Sequence, residues 1–160
     1  MYNITILCVG KLKEKFYTDA SAEYLKRLSR YCKLELIELK EERLPDAPSR
    51  AQIDAALEHE ADAIRAKLPP SSSIVAMCIE GKLCSSEELA KTISDWSQLG
   101  AKHLVFVIGS SFGLHPSIKN AAWLRLSMSP MTFPHHLARV MLLEQIYRSF
   151  QIMEGSKYHK

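Results

Sequence analysis

Residues 103–114 read HLVFVIGSSFGL, and the reading of this stretch decides the fold. Leu104 to Ile108 are all apolar, and Gly109-Ser110-Ser111-Phe112-Gly113 follows at once. So short an apolar run, closed by turn-forming residues, predicts a strand buried on both faces. Such strands belong to parallel sheets covered by helices on both sides. The chain around the run should therefore alternate strand and helix.

Working outward, the alternation holds along the whole length. Upstream, SIVAMCI (73–79) is a second strand apolar on both faces, and NITILCVG (3–10) is a β-rich run closed by Gly10. KLELIELK (33–40) alternates apolar and charged residues, as a half-buried strand near a sheet edge would. Between them, residues 14–31 place Phe16, Ala20, Tyr24 and Leu28 at helical spacing. ERLPDAP (42–48) breaks the chain. Ser49 with Gln52 then spells a capping box before Ile53, Leu57, Ile64 and Leu68. Ser85 with Glu88 does the same for a helix running to about Leu99. Downstream come a short helix near Pro116–Trp123, a short strand LRLSMS (124–129), a helix from about Pro134 to Met153, and the tail GSKYHK. The prediction is one α/β domain over residues 1–160, a mostly parallel sheet with helices on both faces. Ligands of such sheets sit outside the carboxyl ends of the central strands. Here those ends are Met77–Gly81, Gly109–Gly113 and Met128–Phe133.

The loop after the first strand quoted also spells G-x-S-x-G, the nucleophile elbow of α/β hydrolases, with Ser111 as nucleophile. That reading needs an acid and then a histidine further along the chain. After Ser111 there is no Asp, and the only acids are Glu144 and Glu154. Glu144 can pair with Arg148 four residues on, His115 is too close to the loop, and no oxyanion stretch precedes it. A serine hydrolase is the weaker alternative. The loop also lacks the Lys-Ser/Thr ending of a phosphate-gripping loop, and no G-x-G-x-x-G follows the first strand. Gly109 and Gly113 still suit close approach of backbone to a ligand, so a non-enzymatic RNA- or nucleotide-binding module stays open.

Bulk properties set the frame. With 160 residues, 47% of them hydrophobic and 24% charged, the chain has the composition of a globular domain with a sizeable core. A net charge of +3 permits an RNA or phosphate partner without demanding one. Cys8, Cys32, Cys78 and Cys84 form no C-x-x-C pair, and Cys8 and Cys78 sit in apolar runs that predict buried reduced thiols. "PHH" lacks the spaced partners of a zinc site, so no metal is expected. MYNITILCVGKLKEK is not ordered as a signal peptide, and no apolar run approaches the ~18 residues of a membrane span, so a cytoplasmic protein without a membrane partner is expected. The last helix carries Leu137, Val140, Met141, Leu142, Leu143, Ile146, Tyr147, Phe150, Ile152 and Met153 around well over half its circumference. One face can cover the sheet, and a homodimer interface would take up the excess; the other reading is a helix wedged within one domain.

VGKLKEKF, IEGK, VIGSSFGL, MTFPHHLARVMLLEQIYRSFQI and the terminal YHK together resemble the RlmH family across essentially the full length. These are small bacterial SPOUT methyltransferases that modify N3 of a pseudouridine in 23S ribosomal RNA. The resemblance implies a C-terminal deep trefoil knot and a homodimer formed through it. It implies S-adenosylmethionine held largely by backbone from three loops. Carried over by motif, these are Met77 with the IEGK turn, Gly109 with Gly113, and Met128, Ser129, Pro130, Met131, Thr132 and Phe133. It implies Tyr158 and His159 as substrate-site residues and His135 as pocket-lining. The general base would come from His135, His136 or His159, with Tyr158 less favoured. Arg139, Arg148 and Lys157 would contact RNA phosphates, on the assembled ribosome or large subunit. One departure stands out: the family usually has a second glycine where this chain has Ser110, which requires a backbone angle that suits an L-residue.

Overall fold

A computed structural model describes all 160 residues. In chain order the elements are β1 (Tyr2–Val9), α1 (Lys15–Leu28), β2 (Cys32–Leu39), α2 (Arg50–Lys67), β3 (Ser72–Leu83), α3 (Ser86–Ser97), β4 (His103–Ile108), α4 (Pro116–Ala121), β5 (Leu124–Ser127) and α5 (His135–Met153). The strands form one five-stranded sheet in the order β2-β1-β4-β3-β5. Every neighbouring pair is parallel. The two runs apolar on both faces and the NITILCVG run occupy the three central places, and the alternating KLELIELK strand lies at an edge.

Two cores hold helices against the two faces. On one side Ile4, Ile6, Phe106 and Ile108 of the sheet pack with Leu28 of α1, Ile93 and Trp96 of α3, and Leu142, Leu143 and Ile146 of α5. On the other, Leu7, Val9, Val105 and Val107 pack with Ala61 and Ile64 of α2 and Ile118 of α4. Both capping boxes form, Ser49 with Gln52 and Ser85 with Glu88, so two helix starts are determined locally. Burial pushes the thiols of Cys8 and Cys32 up to about 11 and about 12, so both stay protonated at neutral pH. Cys78 is only half-buried, because the strand emerges from the core beyond Ala76.

Two features depart from the sequence reading. First, β3 does not end near residue 79 but continues to Leu83, through a register shift against β5 between Met77 and Lys82. Gly81 permits this: a Cβ there would lie 2.7 Å from the backbone carbon of Leu126 and 2.8 Å from that of Arg125. Its place in IEGK is thus explained by close packing of two strands. Second, α5 runs between α1 and α3, and much of its wide apolar surface is covered within the chain. Exposed large apolar side chains include Ile79 and Leu83 on the β3 extension, Trp123 before β5 and Met131 after it, with others at Phe16 of α1, Leu99 after α3 and Phe112 of the Gly109–Gly113 loop. No helix is long and apolar enough to cross a membrane.

Candidate cofactor and substrate site

Strand register brings the expected loops together. Cys8 pairs with Ile108, Ile108 with Met77, and Met77 with Leu126. The four strands are thus in line here: β1, β4 and β5 finish close by, so the loops after Val9, Ile108 and Ser127 open on one edge, while β3 runs on past it to Leu83. Met77 lies directly beside the residue preceding Gly109 and two residues from Met128. These are residues far apart in sequence that the parallel sheet makes neighbours.

The Gly109–Gly113 loop is a tight turn: the Gly113 amide donates to the Ser110 carbonyl at 2.9 Å, and the two residues form an isolated bridge. Gly113 has φ +85°, where glycine is favoured. A Cβ on Gly109 would stand 2.5 Å from the Gly113 carbonyl carbon and closer still to its oxygen. Gly109 is thus required by the packing of the loop on itself, while the space beside Gly113 is open. Ser110 keeps an ordinary negative φ, so the departure from glycine carries no backbone strain. Its hydroxyl, 8% exposed with its residue, donates to Glu60 Oε1 at 2.7 Å. Glu60 of α2 is itself buried and also accepts the Glu42 amide at 3.1 Å. Burial raises its carboxyl above the usual range against those two hydrogen bonds.

Ser111 has no histidine. Its hydroxyl donates to Glu41 Oε1 at 3.3 Å, and its amide points to the same oxygen at 3.4 Å. His115 Nδ1 is occupied by Ser117, whose amide donates to it at 3.2 Å. A hydrolase triad is not assembled.

The loop 128–133 is held mainly through Ser129, whose carbonyl accepts the Ser127 hydroxyl at 3.0 Å and whose hydroxyl accepts the Met131 amide at 3.0 Å. Its peptide groups make no hydrogen bond to other backbone in the chain. Met128, Ser129 and Phe133 are half-buried, Pro130 and Thr132 are exposed, and Met131 is 72% exposed. Beside this loop lies a cavity of about 300 Å³, lined among others by Cys84, Ser86, Leu126, Met128, Met141 and Glu144. That volume is at the small end for a ligand pocket. Of the residues expected to hold a cofactor, only Met128 lines it; Met77, Gly109 and Gly113 do not.

At the start of α5, His135 packs against the turn after β1. A Cβ on Gly10 would come 2.9 Å from His135 Cε1, and Gly10 has φ +111°, so the close approach and the left-handed turn both call for glycine. Burial, helped by neighbouring His136, holds the His135 imidazole below its ordinary value, and Glu41 only partly opposes this. His135 is therefore neutral at pH 7. Arg139, one turn on, corrects the expectation of a phosphate contact: it is 1% exposed. Its Nη1 donates to Glu38 Oε2 at 2.7 Å and its Nη2 to the Gly10 carbonyl at 3.0 Å. Leu12 N–H donates to the same Glu38 oxygen at 2.9 Å. Burial alone would push the Glu38 carboxyl up, but these donors hold it below the usual range.

The tail folds back on α5 and α3. Tyr158 donates its hydroxyl to Glu144 Oε1 at 3.1 Å, and the Arg148 guanidinium stacks 4.8 Å from its ring centre. His159 Nε2 lies 2.7 Å from Glu87 Oε1, and its Nδ1 lies 3.3 Å from Arg148 Nη1. A guanidinium only donates, which assigns the Nε2–H tautomer. Burial and the bond to Glu144 push the Tyr158 hydroxyl up to about 12, so it is a donor and not a proton acceptor. The hydrogen bond from His159 chiefly holds Glu87 down to about 2. Because Glu144 also lines the cavity, the tail docks at its rim. His135 and Glu144 are nine residues apart on one helix, about 13 Å along its axis, so a single chain does not bring His135 and Tyr158 into one site. Arg148 is turned to Glu144 and the tail, while Lys157 is exposed and without an ion pair. Glu41, Glu60 and Glu87 carry no signal in the sequence, because isolated acids have no spacing pattern. For Glu144 only the pairing with Arg148 is readable there.

Comparison with known proteins follows the same lines. The family model described as "Predicted SPOUT methyltransferase" matches residues 2–159. Ribosomal RNA large subunit methyltransferase H of Clostridium novyi is 48% identical over 158 residues, covering 99% of this chain and 99% of its own. The protein of that name from Streptococcus equi subsp. equi is 46% identical over 157 residues, covering 98% and 99%. A solved structure titled "Probable Methyltransferase" from Bordetella pertussis Tohama I matches with a TM-score of 0.58 at 15% identity, covering 92% of this chain and 94% of that one. The last likeness is one of fold.

Proposed function

The chain belongs to the SPOUT methyltransferase family, and on that premise we propose that it methylates N3 of a pseudouridine in 23S ribosomal RNA, using S-adenosylmethionine. The names of its near relatives support the substrate class. The observation that carries the reading is the register that sets Met77, Ile108 and Leu126 side by side, next to a loop whose peptide groups make no hydrogen bond to other backbone. Residues 128–133 therefore fit a cofactor held by main chain, with Met77 and Gly109 alongside. When bound, S-adenosylmethionine supplies an electrophilic methyl group. The chain's part is to hold the acceptor nitrogen in line, where most of the acceleration arises, and to take its imide proton. His135, neutral at pH 7, is the side chain suited to accept that proton. Tyr158, supplied by the second protomer of the proposed homodimer, serves as a hydrogen-bond donor at the substrate, and His159 joins it once released from Glu87. The same proposal includes the deep trefoil knot, the homodimer, action in the cytoplasm and a preference for the assembled ribosome. The exposed apolar side chains along the β3–β5 edge favour the dimer.

Transfer of a labelled methyl group to ribosomes, large subunits and a naked hairpin tests the reading, with mapping of the labelled nucleotide. We expect one modified pseudouridine and faster transfer to the assembled particles. Cofactor binding without transfer would leave only a binding module, and labelling of Ser111 by a serine-reactive probe would favour a hydrolase.

A further inference from the structure

With Arg139 buried and Arg148 turned to Glu144, two of the three cations expected to touch RNA are occupied within the chain. A different group stands free at the strand-end edge. Lys11 and Lys13 flank half-buried Leu12 in the turn after β1, are exposed, and form no ion pair, whereas Lys15 beyond them pairs with Asp19. Lys40 lies next to them, since Val9 pairs with Leu39 and the Gly10 amide donates to the Leu39 carbonyl at 2.7 Å; it too is exposed and unpaired. The nearby carboxylates face the chain's own donors: Glu38 faces Arg139 and Leu12, Glu41 faces Ser111, and Glu42 approaches His59. Glu14 is the one acid of this turn without a partner.

The turn is also stiff. Arg139 holds the Gly10 carbonyl, Glu38 holds the Leu12 amide, and Leu39 holds the Gly10 amide. Cations on a backbone already ordered lose less entropy on meeting a ligand. The turn opens on the edge shared by Gly109 and residues 128–133, because Cys8 pairs with Ile108. We propose that Lys11 and Lys13, with Lys40 beside them, form a rim that grips the RNA backbone phosphates and seats the substrate on this edge. The proposal rests on the reading of the chain as an RNA methyltransferase. Arg139 and Glu38 then act indirectly, by holding the turn that presents the two lysines.

The test uses the full chain, purified unmethylated large ribosomal subunits, and the variants Lys11→Gln/Lys13→Gln and Lys11→Arg/Lys13→Arg. Binding is measured across a salt series, alongside cofactor affinity by calorimetry and the KM and kcat of methyl transfer. Each phosphate that is no longer neutralised should reduce the slope of log affinity against log salt by about 0.7–0.9. The Gln pair should therefore flatten it by roughly 1.5 and raise KM several-fold, with cofactor affinity and kcat at saturating subunits unchanged. The Arg pair should keep the wild-type slope. An unchanged slope and KM in the Gln pair overturns the rim. If the wild-type chain binds subunits but transfers no methyl group, the activity reading fails, while the slope still decides the rim. If it binds none, both fail.

Discussion

Replacing Glu38 by Gln should be among the most damaging polar substitutions in this chain. Arg139 is 1% exposed, and Glu38 Oε2, at 2.7 Å, is its only carboxylate partner. Removing one partner of a buried pair leaves an uncompensated charge and costs about 3–5 kcal/mol. Here the stranded charge in Glu38→Gln is the guanidinium, whose Nε already has no hydrogen-bond partner. Glu38→Gln should thus reach the upper half of that range. Arg139→Met strands Glu38 instead, whose side chain is 34% exposed and can be hydrated, so about 2–3 kcal/mol is expected. With m of roughly 2 kcal/mol/M, a loss of 4 kcal/mol moves the urea midpoint by about 2 M. Equilibrium unfolding at fixed protein concentration measures both, and the double variant should be less destabilised than the sum. The pH dependence has a definite sign. The folded carboxyl of Glu38 is depressed, so its contribution is present above the ordinary value of 4.5 and is lost as pH falls through the depressed value. Wild-type stability should fall in that acid window and Glu38→Gln should lack this component. A Glu38→Gln midpoint within about 1 kcal/mol of wild type would refute the reasoning.

Ser110→Ala removes a donor from a buried carboxylate and should cost about 1.5–3 kcal/mol, read by the same unfolding assay. Because the Glu60 carboxyl is raised in the fold, its contribution is greatest at acid pH and declines as pH rises from the ordinary carboxyl value through the raised one; Glu60→Gln should abolish that slope. Gly109→Val drives side-chain atoms into the Gly113 carbonyl and should eliminate cofactor binding by calorimetry, whereas retained affinity would show that the turn can open without loss. Ser111→Ala, which removes only an exposed bond to Glu41, should leave methyl transfer within about twofold. Deleting Tyr158–Lys160 should leave the unfolding midpoint close to wild type, since those contacts lie largely at the surface, yet remove turnover; unchanged turnover would show the tail has no part in the reaction.

Much of the architecture was readable because its signals are local. Runs apolar on both faces identify central strands, an alternating run identifies an edge, and two Ser–Gln/Glu pairs mark helix starts. Even the edge that carries the candidate site follows from these, since parallel strands place all their carboxyl ends on one side. What escaped this reading depended on contacts across the fold. Gly81 looked like part of a cofactor turn, but it is the position where β3 slides against β5. The breadth of apolar surface on α5 left a dimer face and a helix wedged within one domain both open, and only the fold shows that α1 and α3 pack along it.

The linear order of residues was enough to specify layers, strand partners by type, capping and the family, because each depends on patterns within a few turns of chain. Burial and long-range partnership depend on which surfaces meet after folding. Arg139 reads as a free cation until Glu38, 101 residues away, is packed against it. Ser110 reads as a weakened glycine until Glu60, 50 residues away, supplies its acceptor. The tail GSKYHK shows no partners in the sequence until Glu144, Arg148 and Glu87 gather around it. A charged or hydroxyl side chain takes its role from the dielectric and the partner it meets, and only the tertiary structure supplies either.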